Sequence, residues 1–221
     1  MKLLFNAFVK LIFGIFIIAL LLFLPAGSIH YPGAWIFLGL LFLPMTIMGI
    51  FLFVKSPELL KKRLNVKEKE KTQRGVISLL ALAFPTGFII SALDFRFNWS
   101  SVPLWLTITA SALFLIGYAL YAEVMRENAY LSRTVEVVED QNVIDTGLYS
   151  IVRHPMYLAT LFMFVPIALI LGSFFGLIPF AVYPVAIIIR IFNEEKLLSK
   201  ELFGYEEYKK RVKYRLIPFI F

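Results

Sequence analysis

The stretch RHPMYLATLFMFVPIALILGSFFGLIPFAVYPVAIIIRIFNEE, residues 153–195, decides how this chain is built. It holds two apolar runs, 156–172 and 174–192, with Gly172 and Ser173 at a tight tip. Its charged residues stand only toward the two outer ends. A membrane helix needs about 20 mainly apolar residues to cross about 30 Å of hydrocarbon. At about 1.5 Å per residue, residues 155–172 rise about 27 Å, and the second leg returns as far. His154 and Glu194 are therefore predicted to meet at one membrane face. Pro166, Pro179 and Pro184 predict kinks or short breaks, which neighbouring helices can re-satisfy.

Four more apolar stretches precede the hairpin, roughly 4–24, 33–54, 76–93 and 103–121. The expected fold is an all-α polytopic membrane protein of about six spans. The composition agrees, with 60% hydrophobic and 17% charged residues in 221 and a mean hydropathy of +0.81. Soluble domains carry about 45–50% apolar and about 25% charged residues. A soluble enzyme, a disordered chain and a disulfide-rich secreted domain are excluded. The absence of cysteine also excludes thiolate metal sites and a cysteine nucleophile. The first stretch has the flavour of a signal peptide, but its apolar run is long and further spans follow directly.

The basic residues set the orientation. Of 22 Lys and Arg, 21 fall on one side of a six-span arrangement, and only Arg96 falls on the other. Basic loops favour the cytoplasm, so both termini and the site are expected there. The net charge of +7 reads as topology and lipid-headgroup contact, and no nucleic-acid partner is expected. Ser56, Pro57 and Glu58 read as the start of a short helix over 56–64, either on the membrane surface or as a plain linker. The tail 193–214 mixes Leu197, Leu198, Leu202, Phe203, Tyr205, Tyr208 and Val212 with charges. That pattern predicts an amphipathic helix broken near Gly204.

Polar chemistry concentrates in the second half. The expected division is 1–114, membrane helices with the basic loop 55–74, and 115–221, a catalytic core. In the loop 133–149, Val135–Val138 and Val143–Ile144 are β-prone around a turn at 139–142. At the mouth of the fifth span, Pro155 suits a first helical turn, and the free amides there suggest a ligand site. At the end of the sixth, Arg190 and Glu194 share one helical face, whereas Glu195 lies about 100° away.

These residues carry a resemblance. Gly147-Leu-Tyr149, Arg153-His-Pro-Met-Tyr157, Arg190-x-x-x-Glu194-Glu195 and the tail Phe203-Gly-Tyr…Tyr208…Arg211-Val…Arg215-Leu-Ile-Pro218 resemble the isoprenylcysteine carboxyl methyltransferase family and its broader phospholipid methyltransferase relatives. The resemblance covers about 115–221. It implies S-adenosylmethionine as methyl donor, held by Gln141, Asn142, Val143, Ile144, Tyr149, His154, Pro155, Met156, Tyr157 and Glu194. It implies that Arg190 binds a lipophilic or prenylated substrate entering from the bilayer. Met156 and Gln141 depart from the eukaryotic pattern and look like a prokaryotic branch.

The chemistry implied is an in-line displacement dominated by positioning. A carboxylate acceptor needs no general base, because it is already ionised at neutral pH. Arg190 could orient it bidentately. An amine acceptor must first lose a proton, and His154 is the nearest base. No metal is expected. The alternatives are a phospholipid or amine N-methyltransferase, an NADPH-dependent reductase of sterol type, since Arg-His-Pro-x-Tyr also occurs there, and a non-catalytic scaffold or transporter subunit.

Overall fold

The structure, a computed structural model, describes residues 2–64, 71–128, 130 and 141–221. Among these residues the chain is helical, with no strand. Its elements are α1 (Lys2–Ala26), α2 (Pro32–Lys55), α3 (Pro57–Leu64), α4 (Lys71–Phe97) and α5 (Leu104–Glu127). A 3-10 turn (Gly147–Ser150) follows, then α6 (Pro155–Phe164), α7 (Ile167–Ile170), α8 (Leu177–Phe180), α9 (Val182–Glu201) and α10 (Tyr205–Arg211). Five helical stretches are long and apolar enough to cross a membrane: Leu3–Ala26, Pro32–Lys55, Arg74–Phe97, Leu104–Glu127 and Leu177–Glu201. The fifth expected span is the shorter apolar Pro155–Ile170. The protein is an integral, multi-pass membrane protein.

The hairpin forms, but its legs are broken rods. Pro166 has no N–H to continue the ladder, and α6 ends just before it, with the Val165 amide bonded to the Leu161 carbonyl. The outgoing leg is interrupted between α8 and α9. Pro184 sits in the first turn of α9, where a missing donor costs little. Neighbours secure the tip at the end of the bundle remote from the basic loops. Tyr31 Oη donates to the Leu171 carbonyl at 2.7 Å. Asp94, fully buried, accepts from Ser173 Oγ, from Ser100 Oγ at 2.6 Å and from the Ser100 amide at 2.7 Å. This carboxylate lies one residue past the expected end of its span.

Between the ends, Tyr31, Phe37, Phe88, Phe114, Ile167, Leu171 and Phe180 form the main core. Lipid tails are as apolar as leucine, so membrane helices associate through close packing of small residues. Gly117 is the clearest case. A Cβ there would stand 2.7 Å from Met163 Cγ and 2.8 Å from the Ala159 carbonyl oxygen. Glycine thus brings α5 against α6, the leg that carries the site.

The flanking expectations resolve individually. Residues 57–64 do form a helix, and Leu59 and Leu60 are buried against Tyr149, Val124 and Met125. These leucines face the protein. The β-prone Val135–Val138 and the turn residues 139 and 140 lie outside the described residues. Val143–Ile144, read as strand-like, belongs to irregular chain. In the tail, Gly204 takes φ +82° and separates α9 from α10, as expected. Leu202, Tyr205, Tyr208 and Val212 turn inward. Phe203, counted with them, is 99% exposed, because the turn at Gly204 breaks the helical face it was assigned to.

Candidate functional site

Two polar clusters share the mouth of the hairpin. The first joins α6 to α9. Tyr157, in the first turn of α6, donates from Oη to Glu194 Oε2 at 2.6 Å. Arg190 Nε donates to the same Tyr157 oxygen at 3.3 Å. The guanidinium also lies 5.9 Å from the Tyr157 ring centre. Arg190 and Glu194 are one helical turn apart, so both reach one tyrosine. A single hydroxyl therefore stands between a cation and an anion at the mouth of a membrane helix pair.

The second cluster centres on Glu195. Arg153 Nε donates to Glu195 Oε1 at 2.7 Å, and Arg215 Nε donates to Oε2 at 2.8 Å. His154 Nε2 lies 3.4 Å from Oε1. Arg153 also donates from one terminal nitrogen to the carbonyls of Val212, at 2.7 Å, and Lys213, at 2.9 Å. The Arg153 and His154 amides donate to the Tyr214 and Arg215 carbonyls at 2.9 and 2.8 Å. The tail is thereby strapped across the entrance of α6.

This geometry specifies what meets at the mouth of the hairpin. The carboxylate beside the His154 imidazole is Glu195, not Glu194. The two glutamates diverge by about 100° around α9. One engages Tyr157, and the other engages Arg153, His154 and Arg215. The amides of Arg153 and His154, which precede the first turn of α6, are taken by carbonyls of the tail. The two clusters still share a wall. The His154 and Tyr157 rings stack with centres 5.7 Å apart. Pro155 is buried at the first turn of α6, as its lack of a donor suggested.

A third group of side chains lines the approach. The buried Tyr149 accepts from Asn128 Nδ2 at its oxygen, at 2.9 Å, and its carbonyl accepts from Tyr208 Oη at 2.7 Å. Ile144 and Met156 pack against Tyr149, and Met156 also reaches the group around Tyr157. Val143 packs against Tyr205 and Tyr208. Gln141 is half-buried, whereas the Asn142 side chain is exposed, away from this packing. Thr146 Oγ1 donates to Glu127 Oε2 at 2.8 Å, and Arg211 donates to Asp145 Oδ2 at 2.6 Å. These bonds tie the loop to α5 and α10.

Tyr149, Tyr205 and Tyr208 are held neutral. Burial above all pushes the Tyr149 hydroxyl up to about 12. The charge of Glu194 adds to this, while the Asn128 bond and Arg63 oppose it. Burial likewise raises Tyr205 and Tyr208. Tyr205 Oη is buried and has no hydrogen-bond partner among the described residues. Among those residues no three His, Asp or Glu side chains gather as a metal site.

The sequence shows Arg153, Glu195 and Arg215 within motifs and Tyr205 within the tail but assigns them no binding role, and it gives no signal for Asn128. The signal for Glu195 was present in the Glu-Glu pair. Its partners come from residues 42 and 20 positions away, a distance that helical periodicity does not register.

Residues 105–205, which contain these clusters apart from Arg215 and the tail, match the phospholipid methyltransferase family. No match is found among curated proteins. The fold is similar to that of the eukaryotic intramembrane Ras methyltransferase ICMT, isoprenylcysteine carboxyl methyltransferase, solved without a monobody. The TM-score is 0.51 at 19% identity, over 92% of this chain and 74% of that one. The site-bearing half of this chain thus resembles the phospholipid methyltransferases, and the whole has the polytopic helical fold of an isoprenylcysteine carboxyl methyltransferase.

Proposed function

We propose that the protein is a membrane methyltransferase that uses S-adenosylmethionine and methylates a lipophilic acceptor, a carboxylate borne on a prenyl-type chain. One observation carries this reading: the Tyr157 hydroxyl bridges Arg190 and Glu194 at the mouth of the paired helices. The match to the phospholipid methyltransferase family over that segment supports it.

The residues fit the donor chemically. Glu194 is a carboxylate able to accept from ribose hydroxyls or an ammonium group. Val143, Ile144 and Met156 offer apolar walls, and the buried Tyr205 hydroxyl offers a hydrogen bond with no internal partner. When bound, S-adenosylmethionine supplies an electrophilic methyl group on a sulfonium. Tyr149, Met156, Tyr157 and Glu194 bind and orient the donor. Arg190 orients the acceptor carboxylate through its charge and planar fork. The acceptor is ionised at neutral pH, so no residue has to remove a proton. Its hydrocarbon arrives from the bilayer, which the exposed Val185, Ile188, Ile189 and Phe192 of α9 face. The distribution of basic residues supports a cytoplasmic site.

The family's name favours a second reading, transfer to a phospholipid, for which the chemistry of N-methylation would take an amine headgroup as acceptor. That acceptor would need a base, and in this arrangement His154 is packed beside Glu195. Two measurements separate the readings. S-adenosylhomocysteine is expected to raise the thermal midpoint of the purified protein, and NADPH is not. The reverse result would remove the methyltransferase reading in favour of a reductase. Lipid extracts incubated with labelled donor are expected to give a base-labile ester, whereas a base-stable product would assign N-methylation.

A further inference from the structure

Tyr205 opens α10, directly after the left-handed turn at Gly204. It is 4% exposed, within a cluster formed by Leu202, Tyr208 and Val212, with Val143 and Leu198 packed against it. Its hydroxyl is nonetheless orphaned among the described residues. Burial, then the nearby carboxylates of Glu195 and Glu194, hold its pKa well above the usual range, with Arg153 opposing. The hydroxyl is therefore a neutral donor, held within reach of the charges of both clusters and beside the loop residue Val143.

A buried polar group without a partner is costly, and such groups are rare enough in folded proteins to require a cause. The neighbouring Tyr208 shows the ordinary solution. Its hydroxyl donates to the Tyr149 carbonyl at 2.7 Å. The other orphaned hydroxyl among the described residues is Ser91 Oγ, at the opposite end of the bundle. It is packed so close to Gly176 that no side chain would fit there, so it has no room for a ligand. Tyr205 differs in position, because it packs on the loop residue Val143 and the charges of Glu195 and Glu194 act on its hydroxyl.

We propose that Tyr205 is a further binding residue for the methyl donor, its hydroxyl donating a hydrogen bond to the bound sulfonium nucleoside. This rests on the donor reading of the site. In the ligand-free protein the hydroxyl is a liability, and in the complex it is satisfied. Removing it should move stability and affinity in opposite directions, a pattern that a structural tyrosine does not produce.

The test uses the full chain in detergent with S-adenosylhomocysteine as the probe. In isothermal titration, Tyr205→Phe is expected to weaken binding about tenfold, equivalent to about 1.4 kcal/mol. Its ligand-free thermal midpoint is expected to stay level or rise. Wild-type affinity in the variant would overturn the assignment while leaving the donor site intact. A lowered ligand-free midpoint would overturn it too, by showing that the hydroxyl has a structural partner. Failure of the wild-type chain to bind the probe would remove the donor reading itself, and this inference with it.

Discussion

Glu194 and Glu195 are adjacent carboxylates with different work, and the difference follows from direction alone. Glu194 accepts from Tyr157 at 2.6 Å, facing the shared mouth, whereas Glu195 is enclosed by Arg153, His154 and Arg215. Glu194→Ala is expected to weaken S-adenosylhomocysteine binding at least tenfold, about 1.4 kcal/mol, and unaltered affinity by titration would refute that role. Arg190→Ala is expected to leave this affinity within about twofold and to abolish turnover of a carboxylate acceptor, about 0.4 kcal/mol being the binding allowance. Equal loss of both would make Arg190 structural. The tyrosines give a pH prediction. Tyr149 titrates at about 12 in the folded protein, above its ordinary value of about 10. Above pH 10 the unfolded chain loses this proton first, so stability is present below that value and falls as pH rises toward 12. A base titration of the thermal midpoint should show a shallower decline for Tyr149→Phe. A parallel decline would exclude this source. At this scale the sequence singled out residues that the structure joins in one hydrogen-bonded group. It indicated Arg190, Glu194 and Tyr157 through their motifs and the one-turn spacing of the first two. It could not place the His154 ring, whose direction depends on a tail some sixty residues later.

Helices α6 and α9 matter to the site chiefly through what holds their ends. The Glu195 cluster joins the entrance of α6, the body of α9 and the tail after α10 through side chains that are mostly buried. Removing one partner of a buried ion pair strands the other, at a cost of about 3–5 kcal/mol. Glu195→Ala is therefore expected to lower the thermal midpoint strongly and to release the tail to proteolysis at 212–216, whereas a protease-resistant variant of unchanged midpoint would show the strap to be incidental. At the other contact, Gly117→Val places atoms against Met163 and the Ala159 carbonyl. Overpacking of this kind costs about 1–3 kcal/mol, and the loss should be visible as reduced thermal stability. Elements were legible where periodicity and breakers were strong. The long apolar runs, the proline breaks in the hairpin, the helix after Pro57 and the Gly204 turn all stood in the sequence. The side that α3 presents was not legible, because leucines beside lysines suit a lipid surface and a protein groove equally. Tyr149, Val124 and Met125 decide it by packing on Leu59 and Leu60.

For the molecule as a whole, orientation is open to direct measurement because the chain has no cysteine. A single Ser28→Cys is expected to react with a membrane-impermeant maleimide from outside intact cells, and Lys61→Cys only after permeabilisation. The opposite pattern would invert the topology and move the site out of the cytoplasm. Composition and apolar run length were enough to make this a polytopic helical membrane protein, since only helices satisfy their own backbone within each crossing segment of such length. Charge asymmetry was enough to orient the expectation, because moving basic loops across a bilayer is unfavourable. Those are one-dimensional properties, summed along the chain. Which glutamate meets which histidine, which amides the tail consumes and which hydroxyl is left unpaired are decided by the lateral approach and rotation of helices far apart in sequence. Rotating α9 by one residue exchanges Glu194 for Glu195 at the hairpin mouth, and nothing in a local pattern records that angle. Tertiary packing sets it, through Tyr157 on one side and the strap from Arg153 to Arg215 on the other.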